Sequence, residues 1–142
     1  QTAALTWGQP ATWCDYTGLI DGHRCGITLM SHPSNFRPAW WHNRDYGVFV
    51  ANPFGRAAMK QGAPDTTTVK KGTSLILRFA AALHASPDGR PVDPATFYES
   101  IITSRGESGV RACGKTKRLA QSAPNIQERA GYILRDRHNS GR

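Results

Sequence analysis

Residues 12–30 read Thr12-Trp-Cys-Asp-Tyr-Thr-Gly-Leu-Ile20, Asp21-Gly22, His23-Arg-Cys-Gly-Ile-Thr-Leu-Met30, and this stretch decides the fold. Asp-Gly between two alternating segments is the strongest short-range signal for a β-hairpin, because a type I′ turn needs a positive φ at both central residues. A two-residue turn also sets the strand register, placing Tyr16 opposite Ile27 and Cys14 opposite Leu29. The stretch therefore predicts two antiparallel strands with known partners.

The same register predicts the state of two cysteines. Cys25 falls opposite Gly18, four residues away from Cys14. Because a strand rises ~3.3 Å per residue, the two sulfurs are too far apart for a disulfide. We expect both to be small core residues. With Cys113, the three cysteines of the chain fit no zinc-binding spacing.

Further strands are predicted over residues 46–51, 66–69 and 74–84. The run 46–51 is apolar on both faces, which indicates a central strand. In 74–84 the apolar side chains share one face at a period of two: Leu75, Leu77, Phe79, Ala81 and Leu83. Asp93 and Pro94 predict the N-cap and first residue of a short helix that includes residues 96–102. The pattern predicts an all-β protein, an antiparallel β-sandwich or part of one, with a single short helix.

The charge divides the 142 residues into two parts. Residues 1–102 carry nine Lys or Arg and seven Asp or Glu, whereas residues 103–142 carry nine and three. The net charge of +8 therefore belongs mostly to the last forty residues. We expect a nearly neutral sandwich over 1–102 and a basic, loosely ordered tail over 103–142, for which nucleic acid is an improbable partner.

Two kinds of segment are not evident. No apolar run is long enough to cross a bilayer, so we expect no membrane partner. No cationic, apolar leader opens the chain, so no uncleaved secretion signal is predicted, and a mature exported protein would look the same.

Residues 109–116 match the phosphate-loop pattern, but the preceding polar residues do not predict the strand that such a loop needs. We interpret that match as a coincidence.

The candidate site is the connection over residues 31–46. It contains two His, two Arg and two adjacent Trp, and Pro33 and Pro38 exclude a continuous helix. Long connections without secondary structure are uncommon in compact domains and are usually functional or disordered. The aromatic residues argue against disorder. We therefore predict a rigid, irregular functional loop.

Carbohydrate binding is the leading interpretation of this loop. Indole faces stack on sugar rings, and polar side chains hydrogen-bond the hydroxyl groups. We expect Trp40 or Trp41 to stack on the ligand, although one of them could instead fill the core. Arg37 or Arg44 would orient an anionic group, and His42 with Asp45 is the most plausible catalytic pair. The hydrogen-bonding residues would be His32, Asn35 and His42.

Two alternatives stay open. His32 and His42 could hold a metal in a metal-dependent oxygenase, with a carboxylate from Asp45 or Asp15 or a third imidazole from His84, but the spacing is not diagnostic. The loop could also belong to a non-catalytic structural module. The residues identify no cofactor.

Residues 10–102 resemble a bacterial family known as "PmoA-like" or "methane oxygenase PmoA". The matching features, in order, are Trp13-Cys-Asp-Tyr16, Asp21-Gly22, Gly26-Ile-Thr-Leu-Met-Ser-His-Pro-Ser-Asn35, Trp41-His42, Asp45-Tyr-Gly47 and Ala51-Asn-Pro-Phe-Gly55. The resemblance implies a soluble, often exported β-sandwich protein that binds or acts on carbohydrate, the substrate class being an analogy with other β-sandwich enzymes. It also implies that this chain is the C-terminal part of a larger domain, whose N-terminal half would be its partner.

Overall fold

The computed structural model describes residues 3–103 and 131–135. In chain order the elements are α1 (Ala3–Thr6), β1 (Pro10–Ala11), β2 (Trp13–Ile20), β3 (His23–Ser31), β4 (Ala39–Asn43), β5 (Phe49–Asn52), β6 (Phe79–Ser86), α2 (Pro94–Thr103) and β7 (Gly131–Arg135). The predicted phosphate-loop match, Cys113 and most of the basic tail lie outside the described residues. No helix in the described part is long and apolar enough to span a membrane.

The predicted hairpin is confirmed. Strands β2 and β3 pair antiparallel with Tyr16 opposite Ile27 and Cys14 opposite Leu29. Asp21 and Gly22 have φ values of 49° and 77°, the left-handed conformation that a type I′ turn requires. Cys25 pairs with Gly18, and Cys14 and Cys25 are free thiols, as the register predicts. Cys14 is buried, whereas Cys25 is only half-buried.

Two antiparallel sheets form the predicted all-β sandwich. One sheet has the strand order β6-β3-β2-β7 and the other the order β1-β4-β5. Their facing sides enclose a core of buried apolar residues from both sheets and α1, which are Ala3, Ala11, Cys14 and Trp41, with Tyr16, Leu29, Phe49 and Ala51 packed around them. This core holds the sandwich together, because burial of apolar surface is the main driving force for folding.

The helix α2 covers the opposite face of the four-stranded sheet. It begins at Pro94, and the Asp93 carboxylate accepts a hydrogen bond from the Ala95 backbone N–H at 3.0 Å, so the predicted N-cap is confirmed. Tyr98 packs there with Trp13 and Met30, and its apolar neighbours are Ala80, Ala82, Phe97 and Ile101. The helix thereby brings Tyr98 close to the connection between β3 and β4.

The three-stranded sheet does not cover β6. Leu83 pairs with Ile27, on the face of the sheet that carries Cys14 and Leu29 into the core. Nevertheless Leu83 is 80% exposed, Phe79 46% and Ile27 37%. The prediction that the apolar residues of this strand share one face is correct for β6, but at that edge the face is open. We call Phe79, Leu83 and Ile27 the exposed strip.

Two predicted strands have different limits in the structure. The strand predicted over 74–84 begins only at Phe79, because the polar backbone groups of Arg78 bond to Asn35 and His32 instead. The strand predicted over 46–51 begins at Phe49, because residues 44–48 form a turn in which Gly47 has a φ of 96°. Strand β5 also lies at the edge of its sheet rather than at the centre, so its prediction as a central strand was wrong.

Other strand predictions were wrong outright. Residues 66–69 form no strand, and they lie in a largely exposed segment. Within the supposedly irregular loop, Ala39–Asn43 forms β4, at the centre of its sheet, because Pro38 precedes the strand instead of interrupting it. No strand was expected after residue 102, yet Gly131–Arg135 forms β7 and pairs with β2.

Candidate functional site

A pocket of about 200 Å³ lies where the connection between β3 and β4 approaches helix α2. Three of the predicted ligand-binding residues line it, namely His32, Asn35 and Arg37. The rest of the wall comes from β1 and the residue after it, the end of β3, the same connection and the helix, namely Ala11, Thr12, Ser31, Pro33, Phe36, Pro38 and Tyr98. The part of the loop before β4 is therefore the part that forms a site.

Asn35 holds this loop in place. Its Nδ2 donates to the Ser31 hydroxyl at 3.0 Å and to the Arg78 carbonyl at 2.8 Å. Its Oδ1 accepts from the Arg78 backbone N–H at 2.7 Å. Because these bonds use both ends of the amide, Asn35 positions the pocket wall rather than offering free groups to a ligand, contrary to its predicted role.

The tautomer of His32 follows from its contacts. The Ser34 backbone N–H donates to His32 Nδ1 at 3.1 Å, and the Ser34 hydroxyl lies 2.7 Å from the same nitrogen. An Nδ1 that accepts these hydrogen bonds carries no proton, so in the neutral imidazole Nε2 carries it. No residue in the described ranges bonds to Nε2. His32 therefore presents one N–H donor at the pocket.

Arg37 is already engaged at the pocket wall. Its Nη1 donates to both carboxylate oxygens of Asp65, at 2.9 and 2.6 Å, and its Nη2 donates to the Thr67 hydroxyl at 3.1 Å. The hydrogen bond from Arg37, with a weaker contribution from the charge of Arg56, lowers the pKa of Asp65. The guanidinium also lies 4.4 Å from the centroid of the Phe36 ring. These contacts tie the loop to the segment around residue 65.

Tyr98 and Phe36 line the pocket, although the sequence did not predict them as ligand-binding residues. The Tyr98 hydroxyl is buried and has no hydrogen-bond partner among the described residues. Phe36 is partly exposed, and its ring lies 5.7 Å from that of Phe54. The signal for Phe36 was its position among the aromatic residues of the predicted loop over residues 31–46. Tyr98 had no local signal, because its approach to the loop depends on how α2 packs on the sheet.

The Trp pair does not form a shared platform. Trp41 is fully buried in the core, where its Nε1 donates to the Ala11 carbonyl at 3.2 Å, so its role as a ligand platform was wrong. Trp40 and His42 are half-buried on the outer face of the same sheet, beside their strand partners Asn52 and Val50. Neighbouring residues on a strand point to opposite faces, which separates the two indoles.

The predicted catalytic pair is not joined by a hydrogen bond. The Asp45 carboxylate accepts a hydrogen bond from the Ala3 backbone N–H at 3.3 Å, and the described residues show no hydrogen bond between His42 and Asp45. The Arg44 guanidinium carbon lies 4.6 Å from the centroid of the Trp7 ring, and Arg44 is not among the residues that line the pocket.

The two predicted metal ligands are not brought together at the pocket. His32 lines the pocket and His42 does not, and the described part contains no group of three His, Cys, Asp or Glu residues that could hold a metal.

A different His–Asp pair exists under helix α2. His84 Nε2 lies 2.8 Å from Oδ1 of Asp15, and the Thr28 hydroxyl donates to the same oxygen at 2.6 Å. The His84 ring stacks on Phe97, with centroids 5.7 Å apart. From the sequence, Asp15 and His84 were possible further metal ligands beside His32 and His42. The structure instead pairs the two with each other in an enclosed position.

One family model matches residues 1–91, and its description is "Family of unknown function (DUF6807)". No curated protein matches the chain, and no solved structure does.

Proposed function

We propose that this chain, which belongs to the DUF6807 family of unknown function, binds a single-ring carbohydrate in the pocket between residues 31–38 and helix α2. The observation that carries the proposal is the pocket itself, whose wall combines the His32 imidazole, the Phe36 ring and Tyr98. The Tyr98 hydroxyl is buried and has no partner among the described residues. An unpaired buried hydroxyl costs about 1–3 kcal/mol, so a bound ligand that hydrogen-bonds to it gains affinity.

The chemistry of the pocket suits a small polyol. The Nε2–H of His32 can bond to a sugar hydroxyl group, and the exposed part of Phe36 supplies an apolar surface for a ring. A small shift of the wall would let the buried Tyr98 hydroxyl bond to the ligand as well. The pocket volume of about 200 Å³ is below the roughly 300–1,000 Å³ of pockets for drug-sized ligands, which favours one ring over a chain of several.

The described residues support binding more directly than catalysis. The predicted pair of His42 and Asp45 is not joined, and the enclosed pair of Asp15 and His84 does not line the pocket. The metal-dependent oxygenase has no observation in its favour, because no third ligand lies beside His32 or His42 in the described ranges.

A non-catalytic structural module is the second candidate. It is favoured by Trp41 in the core and by Asn35, whose side chain joins the loop to Arg78. In that case the loop only positions the start of β6, and the pocket is a gap left by packing.

Replacement of Tyr98 by Phe separates the two candidates. Titration calorimetry with neutral monosaccharides measures binding, and Tyr46→Phe is the matched control because Tyr46 is 79% exposed. We expect Tyr98→Phe to weaken binding about tenfold, the equivalent of one hydrogen bond of ~1.4 kcal/mol, and Tyr46→Phe to have no effect. Since the hydroxyl has no described partner, Tyr98→Phe should not lower the free energy of unfolding.

A structural module predicts a different result for binding and the same result for stability. No monosaccharide would bind at millimolar concentration, and Tyr98→Phe would change neither property. Equal binding by Tyr98→Phe and the unchanged protein would also overturn the proposed site.

A further inference from the structure

We infer that the pocket selects an anionic sugar, whose carboxylate or phosphate oxyanion is held by His32 and Arg78 at the pocket rim. This inference rests on the proposed function and names the substrate class of the same site. Its support comes from the charge and the donor groups around the pocket.

The free polar groups of the pocket can all donate. His32 offers Nε2–H, Tyr98 offers its hydroxyl, and Nε of Arg37 has no partner in the described part of the chain. The side-chain oxygen of Asn35 is already engaged, because it accepts a hydrogen bond from the Arg78 N–H. A wall with spare donors favours a ligand with spare acceptors, and an oxyanion is the strongest acceptor of this kind.

The charge near the pocket is also positive. Arg37 lines the pocket, Arg56 shares its partner Asp65, and the backbone of Arg78 is bonded to the wall residue Asn35. Asp65 is the one carboxylate in the described residues that forms an ion pair with any of these arginines. Asp65 neutralises a single charge and is shared between Arg37 at 2.6 Å and Arg56 at 3.9 Å. An excess of guanidinium groups attracts anions to the pocket before any contact forms.

Arg78 is positioned to hold the anion. The Asn35 side chain bonds to both the N–H and the carbonyl of Arg78, so the backbone of Arg78 is held beside the pocket wall. Its Nη1 lies 3.5 Å from the Ser34 hydroxyl, at the limit of a hydrogen bond, and that hydroxyl lies 2.7 Å from His32 Nδ1. Arg78 forms no ion pair with another described residue, so its charge stays available, and a guanidinium suits a carboxylate or phosphate well.

The test compares three ligands of similar size by titration calorimetry, namely glucose, glucuronate and glucose 6-phosphate. The variants are Arg78→Gln and the matched control Arg90→Gln. Both substitutions remove one positive charge. Arg90 lies near the turn between β2 and β3, because the carbonyl of its neighbour Gly89 accepts a hydrogen bond from Arg24 at the start of β3. That turn is roughly 23 Å from the pocket, at about 3.3 Å per residue along β2.

We expect one of the two anions to bind at least tenfold more tightly than glucose. Arg78→Gln should weaken that anion about tenfold and leave glucose unchanged, whereas Arg90→Gln should change neither. Higher salt should weaken the anion and not glucose, because the rim is exposed to solvent. The preferred anion identifies the oxyanion as a carboxylate or a phosphate.

The outcomes distinguish this inference from the proposed function. If all three ligands bind equally and Arg78→Gln changes nothing, the anionic preference is wrong and carbohydrate binding stands. If none binds, both are wrong. If an anion binds but its affinity is the same in Arg78→Gln, the assignment of Arg78 is overturned.

Discussion

His84 and Asp15 are joined inside the molecule, with Nε2 of the imidazole 2.8 Å from Oδ1 of the carboxylate and both side chains almost completely enclosed. The Thr28 hydroxyl donates to the same oxygen, and the nearby Gly26 leaves room for the ring. His84 Nδ1 has no partner among the described residues. The contact links β2 and β6, which are not neighbours in the sheet.

Loss of the imidazole should destabilise the fold strongly. His84→Ala leaves the Asp15 carboxylate buried without its main partner, and removal of one member of a buried pair typically costs about 3–5 kcal/mol. Urea unfolding measures the change in the free energy of unfolding. His23→Ala is the control, because among the described residues the His23 ring bonds to the Pro87 carbonyl alone, at an exposed position, and its loss should cost less than about 1 kcal/mol. Equal costs for the two variants would contradict a structural role for the pair.

A side chain at Gly26 should displace the same ring. A Cβ atom there would lie 2.5 Å from His84 Cε1 and 2.9 Å from the Tyr16 carbonyl oxygen. We expect Gly26→Ala to destabilise the protein by about 1–3 kcal/mol, the usual range for overpacking. In a double-mutant cycle with His84→Ala the penalty should become smaller, because only the clash with the Tyr16 carbonyl remains. An additive cycle would mean that the ring is not the obstacle.

Asn35 should be essential for the shape of the loop. Asn35→Ala removes three hydrogen bonds and leaves polar backbone groups of Arg78 without their side-chain partners, so we expect a loss of about 2–3 kcal/mol in urea unfolding. Asn52→Ala removes one exposed bond to the Phe54 backbone N–H and should cost below about 1 kcal/mol. Faster amide hydrogen exchange at Arg78 in Asn35→Ala alone would identify the affected segment.

The pKa of Asp65 should report the contact between the loop and the following segment. It is lowered in the folded state, first by the hydrogen bond from Arg37, so the carboxylate favours the fold when ionised. This contribution is complete above the ordinary pKa of 3.8 and is lost as the pH falls through the lower folded value. An NMR titration of the carboxyl carbon should give a pKa below 3.8. Arg37→Gln should raise it, and Arg56→Gln should raise it less.

Cys14 should be chemically inert in the folded protein. Burial, followed by the negative charge of Asp15, raises the pKa of its thiol well above the ordinary value, and thiolate is the reactive form. We expect iodoacetamide to label half-buried Cys25 well before Cys14, as measured by mass spectrometry of the digested protein. Labelling in urea should modify both. Equal labelling rates in the folded protein would show that the core around Cys14 opens readily.

Local signals in the sequence predicted the hairpin and the start of α2. Asp21-Gly22 determines the register because only a few residues tolerate a positive φ at both turn positions, and Asp93-Pro94 supplies a cap and a suitable first helical residue. Both features depend on neighbours in the chain. The strand of residues 39–43 was missed because two prolines and several polar side chains masked its alternation between buried and exposed residues.

The site was only partly predictable, for a different reason. His32 and Arg37 line the pocket as expected, but Tyr98 reaches it through the packing of a helix on a sheet, which no local pattern reports. The pair of Asp15 and His84 is likewise separated by many residues in the chain. In Trp40-Trp41 the composition indicated a ligand platform, yet the pleat of a strand sends the two rings to opposite faces.

The exposed strip also determines how the protein can be handled. Phe79 and Leu83 on the edge strand β6, with Ile27 on the neighbouring β3, form an exposed apolar surface beside an unpaired strand edge, a combination that promotes association between copies in concentrated samples. A lysine in place of Leu83 would break this surface without touching the interior. We expect that variant to associate less at the high protein concentrations that crystallisation and spectroscopy need, with the pocket unchanged.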